Sequence, residues 1–157
     1  MKMLQINDQI PNFEILTDKD PFKVPDYLGK KIVIFFFPRA DTSGCTAESI
    51  AFTNLQGDFD KLNCEVIGIS KDNPKKQSKF REKYNLTCQL GADFENNICE
   101  QFGVWVEKSM YGKKYMGIQR STFLCDEKGT IKKVWEKVKV PGHADEVLQA
   151  VKDLNNS

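Results

Sequence analysis

Two short apolar runs stand out along the chain. Residues 31–37 (Lys-Ile-Val-Ile-Phe-Phe-Phe) and 64–70 (Cys-Glu-Val-Ile-Gly-Ile-Ser) carry little polar alternation, the pattern of strands buried on both faces. Pro38 stops the first run. From Gly44-Cys45 onward, Ile50, Phe52, Leu55 and Phe59 recur at roughly helical spacing. Glu48 suits the first turn of that helix, while Gly57 leaves its end undefined. Asp72-Asn73-Pro74 opens a helix over 74–84, because Pro is favoured at a first helical position. A short strand at 88–90 follows, then a short helix at 96–102 ended by Gly103. Segments 121–126 and 131–135 flank a Gly-bearing turn and read as a β-hairpin. An amphipathic helix over 143–154 closes the pattern. Residues 17–26 read as a polar loop, the least defined region, and 107–115 as a second long, mobile connection.

The order of these elements is β-α-β-α-β, then a short helix, a hairpin and a helix. Such alternation predicts an α/β fold, a central mixed β-sheet flanked by helices on both faces. The length of 157 residues fits a single domain spanning 1–157, and no repeat, low-complexity stretch or linker interrupts it. Charge changes the picture little. Lys and Arg number 23 against 22 Asp and Glu, a balance that points to no nucleic-acid and no membrane partner. The opening residues lack the apolar run of a signal peptide, and no stretch is long enough to span a bilayer.

Cysteine usage is more informative. Cys45, Cys64, Cys88, Cys99 and Cys125 are odd in number, widely spaced and form no CxxC pair. This excludes a disulfide framework and a zinc site and indicates a reducing, cytoplasmic compartment. With one histidine and no ligand cluster, no metal and no cofactor is expected.

The segment 35–46 concentrates the chemistry. It ends a strand, makes a polar turn through Pro38, Asp41, Thr42, Ser43 and Gly44, and sets Cys45 at the start of a helix. Helix N-termini carry unpaired N–H groups and a partial positive charge, both of which favour the thiolate that makes cysteine a nucleophile. In open α/β sheets, sites lie at the carboxyl ends of strands, where this turn falls. A free cysteine is by default a small buried residue; this context favours a reactive one.

Pro38, Thr42 and Cys45 fit the pattern P-x-x-x-T-x-x-C, and here the chain resembles the peroxiredoxins. Cys99-Glu100-Gln101-Phe102-Gly103-Val104-Trp105 and Gly117-Ile118-Gln119-Arg120-Ser121-Thr122-Phe123-Leu124 are similar to later segments of the bacterioferritin-comigratory, or peroxiredoxin Q, subgroup. The resemblance runs from about 29 to 154. It implies a thioredoxin-like fold and a thiol-dependent peroxidase that reduces hydrogen peroxide and organic hydroperoxides. It also implies roles. Cys45 would be the peroxidatic cysteine, passing through a sulfenic acid. Thr42 would hydrogen-bond the peroxide and the sulfur, Pro38 would shield the pocket, and Arg120 would supply the cation. A monomer is expected rather than an oligomer.

The subgroup often places a resolving cysteine five positions after the peroxidatic one, where this chain has Ile50, or on the following helix, which here contains no cysteine. The favoured cycle therefore uses an external thiol: thioredoxin, glutaredoxin or a low-molecular-weight thiol. A two-cysteine cycle through Cys88 or Cys99 needs local unfolding, because a disulfide requires Cα atoms within about 7 Å. A non-catalytic redox sensor on the same fold is the other reading. A thiol–disulfide oxidoreductase would need a second nearby thiol, and residues 44–48 have none. Cys64 and Cys125 read as core, and His143 is assigned no role.

Overall fold

A computed structural model describes residues 2–156. Its centre is a seven-stranded sheet in the order β2-β1-β5-β4-β3-β8-β9. The two apolar runs form its middle as β3 (Lys31–Phe36) and β4 (Cys64–Ser70), paired in parallel. β5 (Gln89–Ala92) extends the parallel part, and β8 (Ser121–Cys125) pairs antiparallel with the other side of β3. β9 (Ile131–Trp135) completes the hairpin expected at the far edge.

The mixed sheet follows directly from the uninterrupted apolar runs. Strand side chains alternate between faces, so β3 sends Ile32, Ile34 and Phe36 into one core and Val33 and Phe35 into the other. The first core is closed by α1 (Val24–Tyr27) and α5 (Ile98–Phe102). The second is closed by α2 (Ser43–Asn54), α3 (Gln56–Lys61), α4 (Pro74–Tyr84) and α6 (His143–Asn155).

One close approach sets how deeply α2 sits. The Phe35 ring stacks on Phe52 of α2 with centroids 4.5 Å apart. The same ring crowds Gly68 of β4, where a Cβ would fall 2.5 Å from Phe35 Cζ. Only a residue without a side chain fits beneath that ring.

α4 shows its sequence logic plainly. Asn73 Oδ1 accepts the Lys76 N–H at 2.9 Å, Pro74 occupies the first turn, and Asn85 ends the helix in the left-handed conformation.

Several boundaries differ from expectation. The helix read as running through Phe59 breaks at Leu55 into α2 and α3. α2 starts at Ser43, so Glu48 belongs to its second turn, not its first. Residues 17–26 are not a loop: they hold the end of β1 (Glu14–Thr17), β2 (Phe22–Lys23) and most of α1. Phe22, stacked on Tyr27 at 4.4 Å, and the 2.6 Å ion pair between Arg81 and Asp18 pin this segment. Nor is 107–115 a connection. β6 (Trp105–Met110) and β7 (Lys113–Ile118) pair around Tyr111 and Gly112, both at positive φ, as a two-residue hairpin turn requires.

Candidate active site

The site lies at the carboxyl end of β3. Pro38 ends that strand's apolar run, and the following turn is tied down from β4 and α4. Asp72 Oδ2 accepts the Ala40 N–H at 2.7 Å and the Ser70 hydroxyl at 2.6 Å. Asp41, at φ 64, is held by the Tyr84 hydroxyl and, at 3.0 Å, by Lys83 Nζ. These bonds to Tyr84 and then Lys83 hold its carboxyl below the usual range. So anchored, the turn delivers Cys45 into the first turn of α2, where its side chain is wholly buried among Phe35, Phe37 and Phe52.

Arg120 arrives from the other side. The pairing of Phe36 with Ser121 brings the residue just before β8 to the end of β3. Its Nη2 lies 3.3 Å from Cys45 Sγ, and its Nη1 donates to Glu48 Oε1 at 2.8 Å. Burial works against the guanidinium charge, but Cys45 and Glu48 outweigh it and raise the Arg120 pKa. Gly44 makes room for this: a Cβ there would fall 3.1 Å from Arg120 Nη2. Glu48 is 1% exposed, and its Oε2 has no partner among the described residues. Burial pushes its carboxyl up to about 7, against the opposing pull of Arg120.

Thr42 is the N-cap of α2, but its hydroxyl makes no capping bond and instead donates to Arg39 O at 2.9 Å. Thr42 therefore caps none of the first N–H groups of the helix that carries Cys45. Pro38 and Thr42 line a cleft of about 630 Å³ whose far wall is the β6–β7 hairpin, with Trp105, Lys108, Met110 and Tyr115.

Of the four expected site residues, Cys45 and Arg120 are in contact, and Pro38 and Thr42 line one cleft beside the start of α2. Three contributors were missed. Glu48 was read for the helix dipole, although its position three residues after Cys45 puts both on one helix face. Asp72 and Lys108 come from separate elements, and no local pattern marks them. The other four thiols do not converge. Cys88 precedes β5 and is fully enclosed near the far end of α2, where Thr53 Oγ1 lies 3.9 Å from its sulfur. Burial pushes the Cys88 thiol up to about 11 and Cys64 up to about 12, and raises Cys99 and Cys125 strongly as well. Each is buried and un-ionised. His143 is buried too, 2.8 Å from Thr122 Oγ1, with burial lowering its pKa. Among the described residues, no group of three or more His, Cys, Asp or Glu could hold a metal ion, and no helix is long and apolar enough to cross a membrane.

The sequence pattern of the AhpC/TSA family matches residues 6–134. The chain belongs to this family. Among its AhpC/TSA relatives, peroxiredoxin Bcp of Bacillus subtilis is 42% identical over 97% of this chain and 98% of its own length. Peroxiredoxin Bcp of Escherichia coli is 39% identical over 98% and 99%. The structure of the Xanthomonas campestris bacterioferritin comigratory protein superposes with a TM-score of 0.89 at 34% identity, covering 96% of this chain and 99% of that one. PrxQ of Xylella fastidiosa superposes at 0.91 with 33% identity and 98% coverage of both chains. The thioredoxin-like peroxiredoxin fold and thiol-dependent peroxidase activity expected from the sequence are borne out by this membership.

Proposed function

We propose that the chain reduces hydroperoxides at Cys45, with Arg120, Thr42 and Pro38 forming the substrate site, and that a thiol from outside the chain restores the cysteine. The observation that carries this reading is Arg120 Nη2 at 3.3 Å from Cys45 Sγ, at the open N-terminus of α2. A cation and unpaired N–H groups around one sulfur stabilise negative charge on it and on an oxygen brought against it. The thiolate attacks the terminal peroxide oxygen, the O–O bond breaks, and Cys45 becomes a sulfenic acid while an alcohol or water leaves.

Each partner has a derived task. The Thr42 hydrogen is committed to Arg39 O, so its oxygen has free lone pairs and accepts the peroxide O–H. Pro38 has no N–H and walls the cleft against water. Glu48 holds one arm of the Arg120 fork and leaves the other for sulfur and peroxide. The alkyl part of an organic hydroperoxide lies toward the Met110 and Tyr115 wall.

The state of the remaining thiols supports an external resolver: burial raises the pKa of Cys64, Cys88, Cys99 and Cys125, which keeps each as the unreactive thiol. Thioredoxin or another thiol reductant takes that part. Residues 2–156 act as one domain, and the working unit is a monomer. Five free thiols suit the cytoplasm.

The test is the fate of Cys45 after one equivalent of hydrogen peroxide, read by intact mass and peptide mapping. A sulfenic acid on Cys45 with the other thiols reduced is expected. A disulfide from Cys45 to Cys88 or Cys99 would replace the external cycle with an internal one. Steady turnover with a thiol reductant separates the enzyme from a sensor that is oxidised once.

A further inference from the structure

Lys108 projects from β6 into the cleft that Pro38 and Thr42 line, and it is half-buried there. Its stem lies on Gly117 of β7: a Cβ at Gly117 would fall 3.2 Å from Lys108 Cδ and 3.5 Å from Cε. The neighbouring hairpin lysine, Lys114, has an acidic partner in Glu107 at 3.6 Å. Lys108 has none among the described residues. Burial first, and then the like charge of Arg120, lowers its pKa, while Cys45 pulls the other way.

A lysine stem is long enough to carry its ammonium out to water. Holding it half-buried under the field of a second cation, with no carboxylate, costs free energy. The position gains meaning from what the reaction needs and Arg120 cannot give. Breaking the O–O bond releases a strongly basic oxygen. Arginine stabilises charge but does not surrender a proton at any relevant pH, whereas a lysine with a lowered pKa does.

We propose that Lys108 is a catalytic residue, the proton donor to the leaving oxygen of the hydroperoxide. This rests on the peroxidase reading of Cys45. As the thiolate attacks, the S–O bond forms and the O–O bond breaks. The sulfur gives up two electrons, which the two peroxide oxygens take. The terminal oxygen keeps its hydrogen and stays as Cys45–S–OH. The other oxygen takes a proton from Lys108 Nζ and departs as alcohol, or as water when the substrate is hydrogen peroxide. Water then reprotonates the amine.

The role is tested by leaving-group dependence. Lys108→Met keeps the apolar stem and removes the ammonium. Second-order rates of Cys45 oxidation are measured by stopped flow with hydrogen peroxide, tert-butyl hydroperoxide and peroxyacetic acid. Acetate is a weak base and leaves without a proton. The variant is expected to lose at least about 10-fold with the two hydroperoxides and less than about 3-fold with peroxyacetic acid. Equal loss with all three substrates would make Lys108 a packing residue, and no loss with any would remove it from the reaction; either result overturns the proposal. Gly117→Ala, which crowds the stem and keeps the amine, should show the same selective loss in smaller measure. If the wild type oxidised Cys45 with none of the three, the peroxidase reading itself would fall, a result distinct from any pattern in the variant.

Discussion

Arg120 meets Cys45 at 3.3 Å with one guanidinium nitrogen while Glu48 holds another at 2.8 Å. The pairing depends on the fork of the guanidinium, which a single ammonium cannot reproduce. Arg120→Ala should slow Cys45 oxidation by peroxide on the order of 10²-fold. Arg120→Lys should keep charge but lose geometry, and fall between the two. Stopped-flow rates decide: a lysine variant as fast as wild type would mean that charge alone matters.

Glu48 links the site to stability. Its carboxyl titrates near 7 in the folded protein, against an ordinary value of 4.5, because burial disfavours its charge. Between these values the folded state keeps a proton that the unfolded chain has lost. The contribution is therefore fully present below 4.5 and is lost as pH rises through about 7. The unfolding free energy of wild type relative to Glu48→Gln should fall by a few kcal/mol across that window. Urea titrations at several pH values test this, and a pH-independent difference would contradict it.

Replacing any one of Cys64, Cys88, Cys99 or Cys125 by Ala should leave thiol-driven peroxide turnover within about 2-fold and cost about 1–2 kcal/mol of stability from lost packing. Cys45→Ser should abolish turnover. A core-thiol variant that reacts normally with peroxide yet stalls before reduction would identify that thiol as a resolver.

Gly68→Ala should destabilise the fold by about 1–3 kcal/mol, since its methyl would overlap the Phe35 ring. Phe35 passes that push to Phe52 on the helix that carries Cys45. Peroxide reactivity should therefore fall along with the melting temperature. Loss of stability with unchanged kinetics would show that α2 absorbs the shift.

The parts of the molecule written in contiguous sequence were legible. β3 and β4 announce themselves by unbroken apolar runs, and α4 by its Asn73 cap and Pro74. The Cys45 turn was legible for the same reason, since strand, turn and helix start are consecutive. Elements too short or too exposed to carry a period were not. β2 has two residues, and its reason for existing, the stack of Phe22 on Tyr27, is tertiary. β6 and β7 pair largely exposed residues, so no apolar alternation marks them. Arg120 could be placed only through resemblance, because what brings it to Cys45 is the β3–β8 register. Lys108 depends on the same kind of long-range placement.

The four thiols sealed in the two cores also decide what happens when reductant runs short. If an outside thiol is the resolver, a molecule oxidised at Cys45 stores one two-electron oxidation and then waits for a collision. The oxidised fraction of a population then reports a ratio of two fluxes, peroxide arriving over thiol arriving. Under peroxide excess the waiting sulfenic acid is open to a second peroxide, and its next rung, the sulfinic acid, is a state no thiol reverses.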